Sequence, residues 1–377
     1  MKVLVAPDSF KDCLSARKVG EAIRTGIVNA PGKWDIRIIP LADGGEGTAE
    51  ALIDATGGKF LYAEVLDPLM RPVRAKYGIL GDGNTAVIEM AAASGIELLT
   101  PAERSPWITS SFGTGQLLLD ALNKGCNRII IGLGGSATND AGVGMAQALG
   151  TRFLDNKGGS VGKGGGELSG IRRIETGGLD LRVNNCEIIV ACDVKNPLTG
   201  PNGASIIYGP QKGADEVMVK KLDKNLKQFA KLVKNQLDRE IDNIPGAGAA
   251  GGLGAGFLAF TRAVLRPGFE IISKETRLDK HIQWADLIIT GEGKIDYQTQ
   301  FGKTPAGVAK IAKKYNKPVI ALAGTLGEGY QELFAFGFDA IFSIIDKPMS
   351  LNEAIKDTPQ LLERCTYAIM NMISVII

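Results

Sequence analysis

The feature that most constrains this chain recurs five times: a short, predominantly apolar run stops abruptly at small residues and a carboxylate, amide, hydroxyl or ammonium group. The runs at 3–6, 36–41, 128–132, 186–192 and 285–290 lead respectively into Asp8, Ser9 and Lys11; Asp43, Gly44 and Gly45; Gly134, Gly135, Ser136 and Asn139; Asp193 and Asn196; and Gly291, Glu292, Asp296 and Thr299. Strands of a parallel sheet are covered by helices on both faces and so read as continuous apolar runs. Each needs only a turn at its end, so charge repeated at five ends points to a ligand rather than to chain reversal. With 49 glycines in 377 residues the chain could be taken for low-complexity sequence, but the glycines cluster at these same ends, where backbone turns sharply or meets a ligand.

Periodicity places helices between the runs. The start of the chain reads strand 3–6, helix 15–29, strand 36–41 and helix 47–55. The rhythm returns near the end, with strands at 285–290, 318–323 and 340–345 and helices at 305–315, 329–336 and 351–372. Between these stretches, 61–66, 73–80 and 85–90 read as antiparallel strands with turns at 67–68 and 81–83. Helix 115–123, helix 140–149 and a charged helix at 215–240 follow, and the glycine-rich 158–170 reads as a mobile loop. The predicted fold is α/β: a discontinuous parallel-sheet domain over 1–64 and 276–377, interrupted by a mixed α/β domain over 65–275, with the site expected in the cleft between them.

Composition excludes several functions. Charged residues nearly cancel to +2, which leaves no field for nucleic acid or an anionic membrane and favours small-molecule partners. Five cysteines form no C-x-x-C pair, and the apolar start is cut short by Pro7 and Asp8; both features, with no run of membrane-spanning length, predict a cytoplasmic protein with reduced thiols. The single histidine, His281, rules out two-histidine metal motifs. The oligomeric state is not fixed, and a homo-oligomer stays open.

Three chemistries compete for the glycine-rich ends. The segment 128–140 satisfies a loose G-x-G-x-x-[GA] pattern at Gly132, Gly134 and Ala137, with Asp155 at a plausible distance, as an NAD(P)-linked oxidoreductase of small hydroxy acids would require. A helix start at Asp140 would place an anion cradle there. Ser136, Thr138, Asn139 and Asp140, however, put more polar side chains on that loop than binding of pyrophosphate by backbone needs. Gly302-Lys303-Thr304 imitates the end of a Walker A loop, but Tyr297 stands where its first glycine belongs. Lysines, carboxylates and glycine-lined backbone together suit phosphoryl transfer, which must neutralise phosphate, hold Mg²⁺ through oxygen and orient a hydroxyl. A non-catalytic binder of small acids is the third reading.

Taken in order, 8–11 with 14–16, 42–48, 132–140, 191–198, 209–214, 248–254 and 289–293 with Asp296, Gln298, Thr299, Gly302 and Lys303 resemble the bacterial glycerate kinases of the class that yields 2-phosphoglycerate. The resemblance runs nearly end to end. It implies ATP-dependent phosphorylation of D-glycerate, dependence on Mg²⁺, and a flavodoxin-like domain carrying an insertion, with the site between the two. On those motifs Asp193 is the candidate general base and Asp296 its runner-up. Asp43 and Glu292 are candidates to hold Mg²⁺, and Lys11 and Lys212 to neutralise phosphate or the substrate carboxylate. Asp8, Ser9, Gly134, Gly135, Ser136, Asn139, Asn196, Gly291 and Thr299 are candidates to line the nucleotide and substrate sites.

Overall fold

The computed structural model describes residues 1–45 and 47–376, so Glu46, within the 42–48 motif, lies outside the described residues. The chain divides into two compact units, one of residues 1–43, 50–57 and 269–377 and one of residues 44–49 and 58–268.

The first unit is built on five parallel strands, Lys2–Val5, Asp35–Ile38, Leu287–Ile295, Val319–Leu326 and Ala340–Ser343. Numbered along the chain, they lie in the order 2-1-3-4-5, the doubly wound flavodoxin-like arrangement. Alternate residues explain why the inner strands are apolar on both faces over Val3–Val5, Leu287–Ile289 and Val319–Ala323. Val3, Val5, Leu287, Ile289, Ile320 and Leu322 enter one core with helices Ala16–Asn29 and Leu351–Ile376. Leu4, Ile288, Val319 and Ala321 are equally buried on the opposite side, where Leu278–Trp284 and Thr304–Lys314 pack. Each buried Val, Leu or Ile side chain among these contributes about 1.5–3 kcal/mol. Gly26 lets the first and last helices touch, since a Cβ there would meet the Glu363 carbonyl oxygen at 2.4 Å.

The second unit holds a six-stranded sheet in the order Val264–Arg266, Glu187–Ala191, Arg128–Gly132, Thr85–Glu89, Pro72–Ile79, Lys59–Leu66. Its first four strands are parallel and the last two antiparallel. Thr85–Glu89, expected to be antiparallel, is so on one side only; it pairs in parallel with Arg128–Gly132 through all five residues. The full-length pairing of Lys59–Leu66 with Pro72–Ile79 carries residues 58–64 into this unit. Helix Phe112–Asn123 packs over strands Lys59–Leu66 and Thr85–Glu89, and its Leu117, Leu118, Ala121 and Leu122 share one core with Ile129, Ile131, Ile188 and Val190. A second core, away from the sheet, gathers Phe153, Phe229 and Phe260 around helix Glu216–Leu237, with ring centroids 5.4–6.4 Å apart.

Three local expectations fail for stated reasons. The helix expected at 140–149 is the six-residue Val143–Ala148, because Ala141 and Gly142 take left-handed backbone. The 158–170 segment is not a free loop: Gly164 packs on the Trp107 and Ile108 backbone, Gly165 on the Asn139 carbonyl, and Asn225 Nδ2 donates to the Gly165 carbonyl at 3.1 Å. Asp155 does not end a strand of the parallel sheet; it follows Arg152–Leu154 of a separate two-stranded ladder and accepts the Lys157 and Gly159 N–H groups, capping its own turn. All five cysteines are free thiols, Cys126 and Cys186 buried and Cys13, Cys192 and Cys365 partly exposed. Among the described residues no helix is long and apolar enough to cross a membrane.

Candidate active site

In a 2-1-3-4-5 sheet the chain reverses its winding between the first and third strands, and ligands meet the carboxyl ends of the strands at that point. The first unit places Asp8 and Glu292 there. Strand Lys2–Val5 continues extended, so that the Asp8 N–H donates to the Gly291 carbonyl at 2.9 Å. Gly291 has no side chain because one would meet the Leu322 carbonyl oxygen at 2.3 Å. The Leu287–Ile295 strand does not stop at Thr290: its pairing with Val319–Leu326 persists to Lys294 and Ile295, which holds Glu292 on rigid backbone.

Burial drives the chemistry of these carboxyls. Asp8 is pushed up to about 7, first by desolvation and then by Asp43, while hydrogen bonds from the Thr304 hydroxyl and the Ser9 N–H oppose the shift. Glu292 is also raised by burial, against its bonds from Thr299 Oγ1 at 2.6 Å and Lys303 Nζ at 3.1 Å. Thr304 and Lys303 begin helix Thr304–Lys314, so that helix is tied to both strand tips. Asp296 caps the turn Tyr297–Gln300, accepts from the Gln298 N–H and pairs with Lys294; it is held low chiefly by that lysine. Thr299 is buried in the same turn, whereas Lys11 is exposed. Among the described residues no three His, Cys, Asp or Glu side chains are arranged to hold a metal ion. The oxygen donors of Asp43 and Glu292 nonetheless suit Mg²⁺, which binds through one or two carboxylates and leaves its remaining positions to water and phosphate.

The second unit gathers the other candidates around the loop from Leu133 to Gly142. Gly134 and Gly135 form its exposed crest, and Ser136 to Ala141 are buried. Asp140, fully buried and raised by desolvation, accepts Ser111 N–H at 2.8 Å, Ser111 Oγ at 2.9 Å, and the Gly142 and Gly144 N–H groups at 3.2 Å each. The expected anion cradle at this helix start is therefore already filled by the chain's own carboxylate. Lys212, 1% exposed, donates to Ser136 Oγ and the Thr138 carbonyl, both at 2.7 Å. Desolvation pushes its ammonium down to about 7, with Asp140 opposing. Asn139 Nδ2 donates to Ser205 Oγ, while Asn139 Oδ1 and Thr138 Oγ1 are buried without a protein partner.

Asp193 ends strand Glu187–Ala191 on exposed backbone, and its Oδ1 accepts the Gly268 N–H at 3.0 Å. Gly44 is needed beside it, with φ near +99° and a Cβ position 3.2 Å from Asp193 Oδ2 and 2.7 Å from the Gly268 Cα. Asn196 joins two loops: its amide donates to the Asn202 carbonyl, its Oδ1 accepts from Tyr208 OH, and its carbonyl accepts the Gly246 and Gly248 N–H groups. The structure thus brings Asp8, Asp43, Gly291, Glu292 and Thr299 together in one unit, and Ser136, Asn139 and Lys212 in the other. Sequence reasoning missed Ser111 and, though it singled out the segment holding Lys303 and Thr304, gave neither a role, because their partners Glu292 and Asp8 are not evident from local sequence.

The model of the glycerate kinase family matches residues 3–374. The chain is 50% identical to the glycerate 2-kinase of Escherichia coli over 94% of its length and 93% of that protein, and 49% identical to the glycerate kinase of Halalkalibacterium halodurans over 96% and 95%. A crystal structure from Salmonella typhimurium carrying the name glycerate kinase 2 superposes with a TM-score of 0.91 at 47% identity, covering all of this chain and 98% of that one. With a family match from the first strand into the last helix, and relatives of half identity along nearly the whole length, this chain belongs to the glycerate kinase family.

Proposed function

We propose that this protein transfers the γ-phosphoryl group of ATP to D-glycerate and releases 2-phosphoglycerate and ADP, with Mg²⁺ as cofactor. The observation that carries the reading is the half identity with a glycerate 2-kinase along nearly the whole chain, joined to a flavodoxin-like switch point lined by carboxylates and a lysine. Asp193 accepts the proton of the glycerate hydroxyl as its oxygen bonds to phosphorus and the bond to ADP breaks; Asp296 is the second choice. Asp43 and Glu292 hold Mg²⁺, which neutralises phosphate charge when bound. Lys11 meets phosphate or the glycerate carboxylate. Asp8, Ser9, Gly291 and Thr299, with Gly134, Gly135, Ser136, Asn139 and Asn196, line the nucleotide and substrate positions. An oxidoreductase would need an acidic residue free for ribose, and Asp155 is occupied by its own turn.

The test is ADP release by purified protein, with D-glycerate and Mg²⁺ each omitted in turn. Release that needs both supports the reading. A stabilising shift on adding glycerate without turnover would support a binder instead, and a change in nicotinamide absorbance would support the oxidoreductase.

A further inference from the structure

The Leu133–Gly142 loop is held along its length, with Gly134 and Gly135 exposed. The Ile96 N–H donates to the Gly135 carbonyl at 2.8 Å and the Ala137 N–H to the Ser94 carbonyl at 3.0 Å. Thr109 Oγ1 donates to the Ala137 carbonyl at 2.8 Å, and Asp140 gathers four donors from Ser111, Gly142 and Gly144. Gly251, at φ +66°, packs so closely on Thr138 that a Cβ there would sit 1.9 Å from its carbonyl oxygen. A further restraint, and a charged one, is Lys212. It closes the turn Pro210–Lys212, Gly213 follows in left-handed backbone, and the side chain runs through the interior to Ser136 and Thr138.

A lysine that meets phosphate in the ground state presents its ammonium to solvent or to the ligand. Lys212 does the opposite: it is 1% exposed, and two of its three donors are already directed at the loop. Ionised donors hold such neutral acceptors more firmly than neutral donors do. Burial that pushes the ammonium toward about 7, opposed by Asp140, is the electrostatic counterpart of that geometry.

We propose that Lys212 is a positioning residue: by clamping Ser136 and Thr138 from below it fixes the exposed Gly134–Gly135 backbone, and it acts on phosphoryl transfer only through that loop. The proposal rests on the kinase reading for its catalytic consequence but not for the clamp itself. Misplacing a reacting group by about 1 Å costs on the order of a hundredfold in rate, so the effect belongs in kcat.

The test compares the wild type with Lys212→Met, Ser136→Ala and the double variant. Hydrogen exchange is read on peptides spanning 133–140 and, as an internal control, on Leu287–Ile295. The clamp predicts about tenfold faster exchange at 133–140 in each single variant and none at the control strand. Steady-state kinetics should show kcat for glycerate phosphorylation falling by about a hundredfold in Lys212→Met with both KM values within about threefold, and the double variant no more than about threefold worse than Lys212→Met. Unchanged exchange at 133–140 with lost activity, or fully multiplicative losses, would overturn the proposal in favour of direct contact between Lys212 and a ligand. If Lys212→Met does not fold, Ser136→Ala decides: slow, wild-type exchange there overturns the clamp. A wild-type protein that never consumes ATP with glycerate defeats the kinase reading, while the exchange arm still decides the clamp.

Discussion

Thr304 Oγ1 donates to Asp8 Oδ2 at 2.5 Å across 296 positions of sequence, joining the tip of the first strand to the start of helix Thr304–Lys314. The bond satisfies a buried carboxyl that burial and Asp43 push up to about 7. The folded protein therefore holds a proton at Asp8 that the unfolded chain releases near 3.8. Stability from this group is fully present below that pH and is lost as pH rises through about 7. Asp8→Asn, which keeps an acceptor for Thr304 but cannot ionise, should gain stability relative to the wild type between pH 5 and pH 8, by about 1–3 kcal/mol. Thermal unfolding of both proteins at the two values checks this; a difference independent of pH would contradict it.

Asp140 sits among donors only, so an amide in its place would turn a donor against them. Asp140→Asn should cost about 2–4 kcal/mol, read as a lower urea midpoint with an unchanged slope. A loss under about 0.5 kcal/mol would mean that the carboxylate is not what organises the loop.

Asp193 stands at an exposed position just beyond strand Glu187–Ala191, with its Oδ1 accepting the Gly268 N–H, a fixed carboxylate of the kind a general base requires. Asp193→Asn should lower kcat by about 10²–10⁴, with the KM for ATP within about threefold. Equal kcat in a folded variant would pass the general-base role to another residue.

The parallel sheet of the first unit was legible because its strands are covered on both faces, so that Val3 to Val5 and Leu287 to Ile289 read as unbroken apolar runs. The same rule misjudged where strand Leu287–Ile295 ends: Glu292 and Lys294 look like a loop, yet pairing with the neighbouring strand continues past them. Helix 140–149 was misread because an apolar stretch from Ala141 carries no sign that Asp140 will bend the backbone to collect its N–H groups. Thr109-Ser110-Ser111 drew no reading from the sequence, because nothing local shows that it docks against Asp140 and Ala137 and becomes core. The burial of Lys212 was unreadable for a similar reason: its partners lie more than seventy positions earlier, and no local pattern reports contacts at that range.

Phosphorus NMR of the product made from D-glycerate and ATP tests the kinase assignment most directly. Phosphate on the 2-hydroxyl is bonded through oxygen to a carbon bearing one hydrogen, so a new phosphomonoester doublet is predicted. A triplet, from the carbon bearing two hydrogens, would contradict the assignment of position, and the absence of any new phosphomonoester would contradict phosphoryl transfer to glycerate.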